Sequence, residues 1–207
     1  MAPDTELGEF LSSVVDLSAQ RGADGCAAAG LICEISENAR MAPAKSETPI
    51  PRDLPVCRHL VGALSQAKDG PAAELAEAIA ALAGKLRWVQ NPNYVHDPNM
   101  RAFVADYAYV EISGPDGMVL SPNTALGLLL IGPENLYPPH NHPAEEIYMV
   151  VAGEAAWQRA GAPWQLRPPG SVIHHEPKVI HAMRTAAQPL LALYAWRGEI
   201  GTAARLV

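Results

Sequence analysis

The second half of the 207-residue chain consists of short apolar or alternating segments separated by glycine and proline turns. After Trp88 these segments are RAFVADYAYVEIS, MVLSPNTALGLLLIG, EEIYMVVAGEAAWQRAG, WQLRPPG, SVIHH and PLLALYAW. Short strands at regular spacing, with turns between them, are typical of an antiparallel sandwich or barrel. The pattern therefore predicts a β-barrel over residues 89–207.

Residues 1–88 carry a helical pattern instead. Apolar residues recur at helical spacing over 7–17, 57–64 and 75–82, and Gly84 follows the last of these stretches. The proline-rich stretch ENARMAPAKSETPIPRD, residues 37–53, predicts a connection without helix. Three short helices would be marginally stable alone, so we expect their apolar stripes to pack on the barrel. The predicted fold class is α+β, a helical N-terminal half packed on a C-terminal barrel.

Composition limits the partners of the protein. The formal net charge is −7 and no basic groove is evident, which argues against nucleic acid. No apolar run approaches the roughly 18 residues of a membrane span, and the acidic start MAPDTELGEF lacks the apolar core of a secretory signal. Three cysteines, Cys26, Cys33 and Cys57, are expected to be reduced structural thiols of a cytoplasmic protein. The sequence does not fix the oligomeric state, and a homodimer is compatible with it.

Chemistry-bearing residues concentrate in YPPHNHPAEEIYMVVAG, residues 137–153. Four of them have even numbers: His140, His142, Glu146 and Tyr148. If the bend at Pro143 keeps the register, these four share one face of an extended segment. The apolar Ile147, Met149 and Val151 then face the other side. Buried polar groups need partners, and imidazole with carboxylate suits Zn, Fe, Mn, Co or Ni.

This stretch resembles the first motif of the cupin superfamily, G-x5-H-x-H-x3/4-E-x6-G. His140, His142, Glu146 and Gly153 fit its spacing, whereas seven residues instead of five separate Gly132 from His140. The second motif, G-x5-P-x-G-x2-H-x3-N, can be threaded from Gly170 to Thr185 and selects His181 as the last ligand. Three of its positions are replaced, by Glu176, Lys178 and Thr185. His174 and His175 compete with His181, because PPGSVIHH also resembles a proline-glycine turn followed by histidine.

The elements HNHPAEEIY, HAMRT and PLLALYAWRGEIG, together with the helical first half, resemble the cupin-type dimethylsulfoniopropionate (DMSP) lyases of marine bacteria, most closely the Q-type. The resemblance is specific over 137–153 and 170–198. It implies a lyase with one divalent metal ion held by His142, Glu146 and His181, and it places His140 at a further ligand position. It implies Tyr148 as the base, or as an additional ligand, of a β-elimination that yields dimethylsulfide and acrylate.

The sulfonium end of such a substrate would be held best by aromatic faces, at about 0.5–2 kcal/mol for each cation–π contact. Tyr137 and Trp196 match aromatic pocket positions of the family. Tyr194 has the same parity as Trp196 on the last strand and is a third candidate. Two other functions stay open on the sequence. One is a different metal-dependent cupin enzyme, a dioxygenase or isomerase, and the other is a non-enzymatic cupin binding module.

Overall fold

The computed structural model describes residues 5–43, 45 and 47–207. Its strands lie in the second half of the chain, as predicted. They are β1 (Tyr107–Gly114), β2 (Val119–Leu120), β3 (Thr124–Ile131), β4 (Leu136–Asn141), β5 (Glu145–Ala152), β6 (Ala155–Arg159), β7 (Gln165–Arg167), β8 (Val172–His175), β9 (His181–Thr185), β10 (Leu190–Arg197) and β11 (Arg205–Leu206). They form a six-stranded sheet in the order β2-β1-β3-β10-β5-β8 and a five-stranded sheet in the order β11-β4-β9-β6-β7. Neighbouring strands are antiparallel except β1 and β2.

The helices are α1 (Thr5–Ala23), α2 (Ala27–Met41), α3 (Leu60–Ala67), α4 (Ala73–Leu82), α5 (Pro92–Val95) and α6 (Arg101–Ala105). The helical patterns predicted over 7–17, 57–64 and 75–82 are confirmed by α1, by a 3-10 turn at Pro55–His59 that leads into α3, and by α4. No helix among the described residues combines the length and apolarity needed to cross a bilayer. The three cysteines are free thiols.

Two sequence predictions about local structure were wrong. The connection does not begin at residue 37, because α2 continues to Met41. Its buried stripe contains only Ala29, Ile32, Ile35, Ser36 and Ala39, and small side chains make a weak periodic signal. The segment RAFVADYAYVEIS is not a strand from its start, because α6 occupies its first five residues. There Phe103 is buried in the interior of the barrel, and the strand begins at Tyr107.

The six-stranded sheet is covered on both faces. Ile147, Met149 and Val151 point outward from β5 into one apolar cluster with the buried residues of α1 to α4. Tyr148 and Val150 point inward, into a second cluster that includes Trp157 and Met183 of the other sheet. The predicted alternation along β5 and the packing of the helices on the barrel are therefore confirmed. Each fully buried Leu- or Phe-sized side chain contributes roughly 1.5–3 kcal/mol, so the helical layer is a major part of the core.

Candidate active site

Three buried side chains meet between the two sheets. Glu146 is on β5 of the larger sheet, His181 is on β9 of the smaller one, and His142 lies in the turn between β4 and β5. One carboxylate oxygen of Glu146, Oε2, lies 3.0 Å from His142 Nε2 and 3.1 Å from His181 Nε2. Each residue offers one ligand atom, and the three atoms all lie within 4.8 Å of one another. Two nitrogens and one oxygen thus converge on a single point.

Backbone carbonyls fix the orientation of the histidine rings. The Nδ1 atoms of His142 and His181 lie 3.0 Å from the carbonyl oxygens of Ala144 and Val179, respectively. His140 Nδ1 lies 2.8 Å from the Pro138 carbonyl. A carbonyl only accepts, so these contacts favour the tautomer with the proton on Nδ1. The Nε2 lone pairs are then available to a metal, and a carbonyl behind each ring is the usual support of a metal-binding histidine.

The charges of these groups favour a cation. Burial opposes ionisation of Glu146, yet His142 and His181 hold the pKa of its carboxyl well below its usual value. Burial likewise opposes a charge on His142, and the adjacent Glu146 raises the pKa of that imidazole. His181 Nε2 has no hydrogen-bond partner of normal geometry in the described part of the chain. A buried carboxylate beside a nitrogen that lacks a partner fits a divalent metal ion with N and O ligands.

The remaining histidines divide into two groups. His140 is buried, its ring centroid lies 4.1 Å from that of His181, and burial lowers its pKa well below the usual value. It lies beside the three converging ligand atoms but is not one of that group. His175 is also buried and stacks on His181 at 4.0 Å. His174 points away and pairs with Glu145 at 2.7 Å. A ligand role for His140 therefore stays a prediction.

Trp196 contacts two members of the group. Its indole N–H donates to Glu146 Oε1 at 2.5 Å, and its ring stacks on His142 with centroids 4.2 Å apart. The hydrogen bond holds Oε1, so Oε2 is the oxygen that faces the histidines. The sequence placed Trp196 in the pocket. The bond to the carboxylate was not foreseen, because it joins residues that are 50 positions apart.

Tyr137 and Tyr194 occupy opposite sides of the interior. The Tyr137 ring stacks on His140 with centroids 3.7 Å apart, and its hydroxyl donates to the Tyr94 hydroxyl at 3.2 Å. Tyr194 pairs directly with Tyr148 across β10 and β5. All three aromatic residues proposed from the sequence, Tyr137, Tyr194 and Trp196, line one cavity together with Tyr148 and Glu146.

This cavity has a volume of about 300 Å³ and extends from Glu146 to residues of β1. Burial raises the pKa of the Tyr148 hydroxyl well above its usual value, and the Glu146 charge adds to the shift. The sequence reasoning missed three lining residues on β1, namely Tyr107, Tyr109 and Glu111. These three residues alternate with Ala108 and Val110, which face the helices. That alternation in DYAYVE could have predicted that they face the interior.

Two facing sheets that enclose buried histidine and glutamate side chains define a cupin-type barrel. The family model for dimethylsulfoniopropionate lyase matches residues 31–192, and the chain belongs to the DMSP lyase family. It is 36% identical over 159 residues to the putative dimethylsulfoniopropionate lyase DddL of Cereibacter sphaeroides. The aligned region covers 76% of this chain and 65% of the relative. It is 37% identical over 101 residues to the dimethylsulfoniopropionate lyase DddQ of Ruegeria pomeroyi. Here the aligned region covers 49% of this chain and 50% of the relative. The chain thus spans about half to two thirds of the length of these curated relatives.

Solved structures agree with this assignment. A crystal structure from work on the DMSP lyases RdDddP and RnDddQII superimposes with a TM-score of 0.75 at 25% identity, over 98% of both chains. The crystal structure of DddQ from Ruegeria pomeroyi gives a TM-score of 0.65 at 28% identity, over 80% of this chain and 82% of the other. Both matches extend into the residues before Tyr107, where the strands begin, because each covers 80% of the chain or more.

Proposed function

We propose that this protein is a metal-dependent lyase that cleaves DMSP to dimethylsulfide and acrylate by β-elimination. The observation that most supports the proposal is the position of Tyr148, which lines the same aromatic cavity as Glu146. Membership of the DMSP lyase family supports the substrate. The converging atoms of His142, Glu146 and His181 support the metal dependence.

The metal would be held by His142, Glu146 and His181, with His140 adjacent, and this donor set accepts Zn, Fe, Mn, Co or Ni. When bound, the ion supplies a Lewis acid for the substrate carboxylate and a positive charge that offsets Glu146 beside the Tyr148 hydroxyl. Trp196 keeps Glu146 Oε1 occupied, so that the carboxylate presents Oε2 to the ion.

Tyr148 is the proposed base. Its phenolate would take the proton from the carbon next to the carboxylate, and the electron pair of that C–H bond would form the carbon–carbon double bond of acrylate. The bond between the β-carbon and sulfur then breaks with its electron pair on sulfur, which leaves neutral dimethylsulfide. Because burial and Glu146 both disfavour the phenolate, Tyr148 would be inactive as a base when the site lacks a cation.

The cavity walls would hold the rest of the substrate. Tyr194 and Trp196 on β10, Tyr107 on β1 and Tyr137 on β4 all present aromatic surface to this cavity. Aromatic faces attract a sulfonium cation, and the buried position of the site keeps bulk water from the reacting carbon.

The test is dimethylsulfide release into the headspace from purified protein and DMSP. The protein is first stripped with a chelator and then reloaded with Mn, Fe, Co, Ni or Zn in separate samples. We expect release only from reloaded samples, with no oxygen uptake. Release that is equal in stripped and reloaded samples would contradict the metal dependence. No release under any condition, or uptake of oxygen, would favour another cupin chemistry.

A further inference from the structure

A carboxylate lies at the far side of the same cavity from the metal-ligand group. Glu111 is on β1, half-buried, and lines the cavity. Its Oε1 accepts a hydrogen bond from the backbone N–H of Asp116 at 2.6 Å. The proposed mechanism gives this residue no role.

Strand register connects Glu111 to the reacting end of the cavity. Glu111 pairs with Gly127 on β3, Gly127 pairs with Tyr194 on β10, and Tyr194 pairs with Tyr148 on β5. Directly paired residues share one face of a sheet, so this row lies on the inner face. Three interstrand steps of about 4.8 Å separate the backbones of Glu111 and Tyr148 by about 14 Å along the sheet.

Gly127 allows the Tyr194 ring to lie between the two ends of that row. A Cβ atom at position 127 would lie 1.8 Å from the Val110 carbonyl oxygen, 2.7 Å from Tyr194 Cε1 and 2.8 Å from the Tyr194 hydroxyl oxygen. The ring therefore lies over β3, next to the backbone of β1. The Tyr194 hydroxyl is therefore directed toward β1. The row presents Tyr148, then an aromatic surface, then the Glu111 carboxylate.

The backbone next to Glu111 is irregular and leaves room for its carboxylate. The pairing of β1 with β3 shifts register between Glu111 and Ser113. At Gly114 a Cβ atom would lie 2.2 Å from Glu111 Oε1, so only glycine allows this approach. Within the described ranges no basic side chain forms an ion pair with Glu111. Burial raises the pKa of its carboxyl, and the charge of Lys45 opposes that shift. This carboxylate is held in place by the backbone N–H of Asp116, and the Lys45 ammonium nearby donates to the Pro115 carbonyl instead of to it.

We propose that Glu111 recognises the positive end of the substrate and selects zwitterions with a carboxylate at one end and a sulfonium or quaternary ammonium at the other. This inference rests on the proposed lyase function and deepens it. The aromatic side chains of the cavity can contact an onium group or a neutral branched alkyl group of the same shape. The Glu111 carboxylate next to these aromatic side chains favours the onium group, because only that group carries a positive charge. Asp116 is exposed at the rim, where solvent screens its charge.

The experiment measures binding to the metal-loaded protein by calorimetry with two unreactive probes. β-Alanine betaine carries a carboxylate and a trimethylammonium group, and isocaproate carries the carboxylate with a neutral branched end. Glu111→Gln should weaken betaine binding about 5- to 30-fold and leave isocaproate binding within about twofold. Glu154→Gln, at an exposed turn residue between β5 and β6, is the matched control for loss of one negative charge.

Several outcomes would overturn the inference. If Glu111→Gln weakened the binding of both probes equally, Glu111 would only support the 114–117 loop. If the affinity for the betaine did not change, Glu111 would have no part in substrate recognition. An equal effect of Asp116→Asn would assign selectivity to the general field of the rim. With DMSP as substrate, Glu111→Gln should raise KM by the same factor at nearly constant kcat. If the wild type releases no dimethylsulfide but Glu111 still discriminates the probes, the lyase proposal fails and this inference stands.

Discussion

Replacing Trp196 by phenylalanine is the sharpest test of how the site is built. The change keeps an aromatic ring beside His142 and removes the indole N–H that donates to Glu146 Oε1 at 2.5 Å. That oxygen belongs to a carboxylate that is only 2% exposed, so water does not readily replace the lost donor. A hydrogen bond to a charged group contributes about 1.5–3 kcal/mol, which corresponds to a factor of roughly 10–150 in affinity.

Metal affinity is the quantity that should report this loss. Residues that support a ligand from behind change metal affinity by about 10–100-fold when they are mutated, in agreement with the value from the hydrogen bond. We therefore expect Trp196→Phe to weaken Zn²⁺ or Co²⁺ binding by about 10–100-fold in a competition titration against a chromophoric chelator. The fold of the variant can be checked by circular dichroism in the same samples.

Trp88→Phe provides the matched control. Trp88 is fully buried in the cluster between the helices and the barrel, and its indole nitrogen has no hydrogen-bond partner among the described residues. This variant should lose stability and keep its metal affinity. Trp196→Phe with an affinity within twofold of the wild type would refute the reasoning. A similar loss in Trp88→Phe would show that any core change disturbs the site.

Four further predictions concern the base, the ligands, pH and the helices. Tyr148→Phe should stay folded, keep most of its metal and lose dimethylsulfide release by at least about a hundredfold. His181→Ala should contain no bound metal when it is measured by elemental analysis. Full metal occupancy in this variant would instead assign the ligand role to His175. Burial lowers the pKa of His175 to about 2, so below pH 6.5 the unfolded chain binds a proton that the folded protein excludes. The free energy of unfolding of the metal-free protein, measured in urea, should thus be highest above pH 6.5 and fall as the pH is lowered. In His175→Gln this fall should be smaller by about 1.4 kcal/mol per pH unit. A chain of residues 89–207, the proposed barrel region, should aggregate on expression, and a soluble and active product would contradict the proposed interdependence.

The polar face of β5 was predictable because alternation along a strand does not depend on the rest of the fold. Glu146 and Tyr148 share the inner face of β5, as their parity predicted. The single face predicted for His140 as well was wrong, because His140 is on β4 of the other sheet and meets them across the barrel. The parity argument assumed one extended segment, whereas the chain passes from the smaller sheet to the larger one between Asn141 and Glu145. Spacing also selected His181 over His174, which points outward to Glu145.

What the sequence did not reveal depends on contacts between distant residues. The bond from Trp196 to Glu146 and the row from Glu111 to Tyr148 both require the strand order β1-β3-β10-β5, which no local pattern encodes. Helix α2 was missed for a different reason. Its buried face is partly alanine and serine, so its helical period was too weak to oppose the prolines that follow it.

The site and the helical layer are coupled through one strand. Along β5, Glu146 and Tyr148 face the cavity, while Ile147 and Met149, which alternate with them, face the helices. The strand cannot shift by one residue without exchanging these two sets, because the side-chain period is two. Apolar packing on the outer face therefore holds the register that presents the carboxylate and the phenol to the interior. The described residues of the helical half contribute no side chain to the proposed metal site. The helices instead complete the core on which the geometry of that site depends.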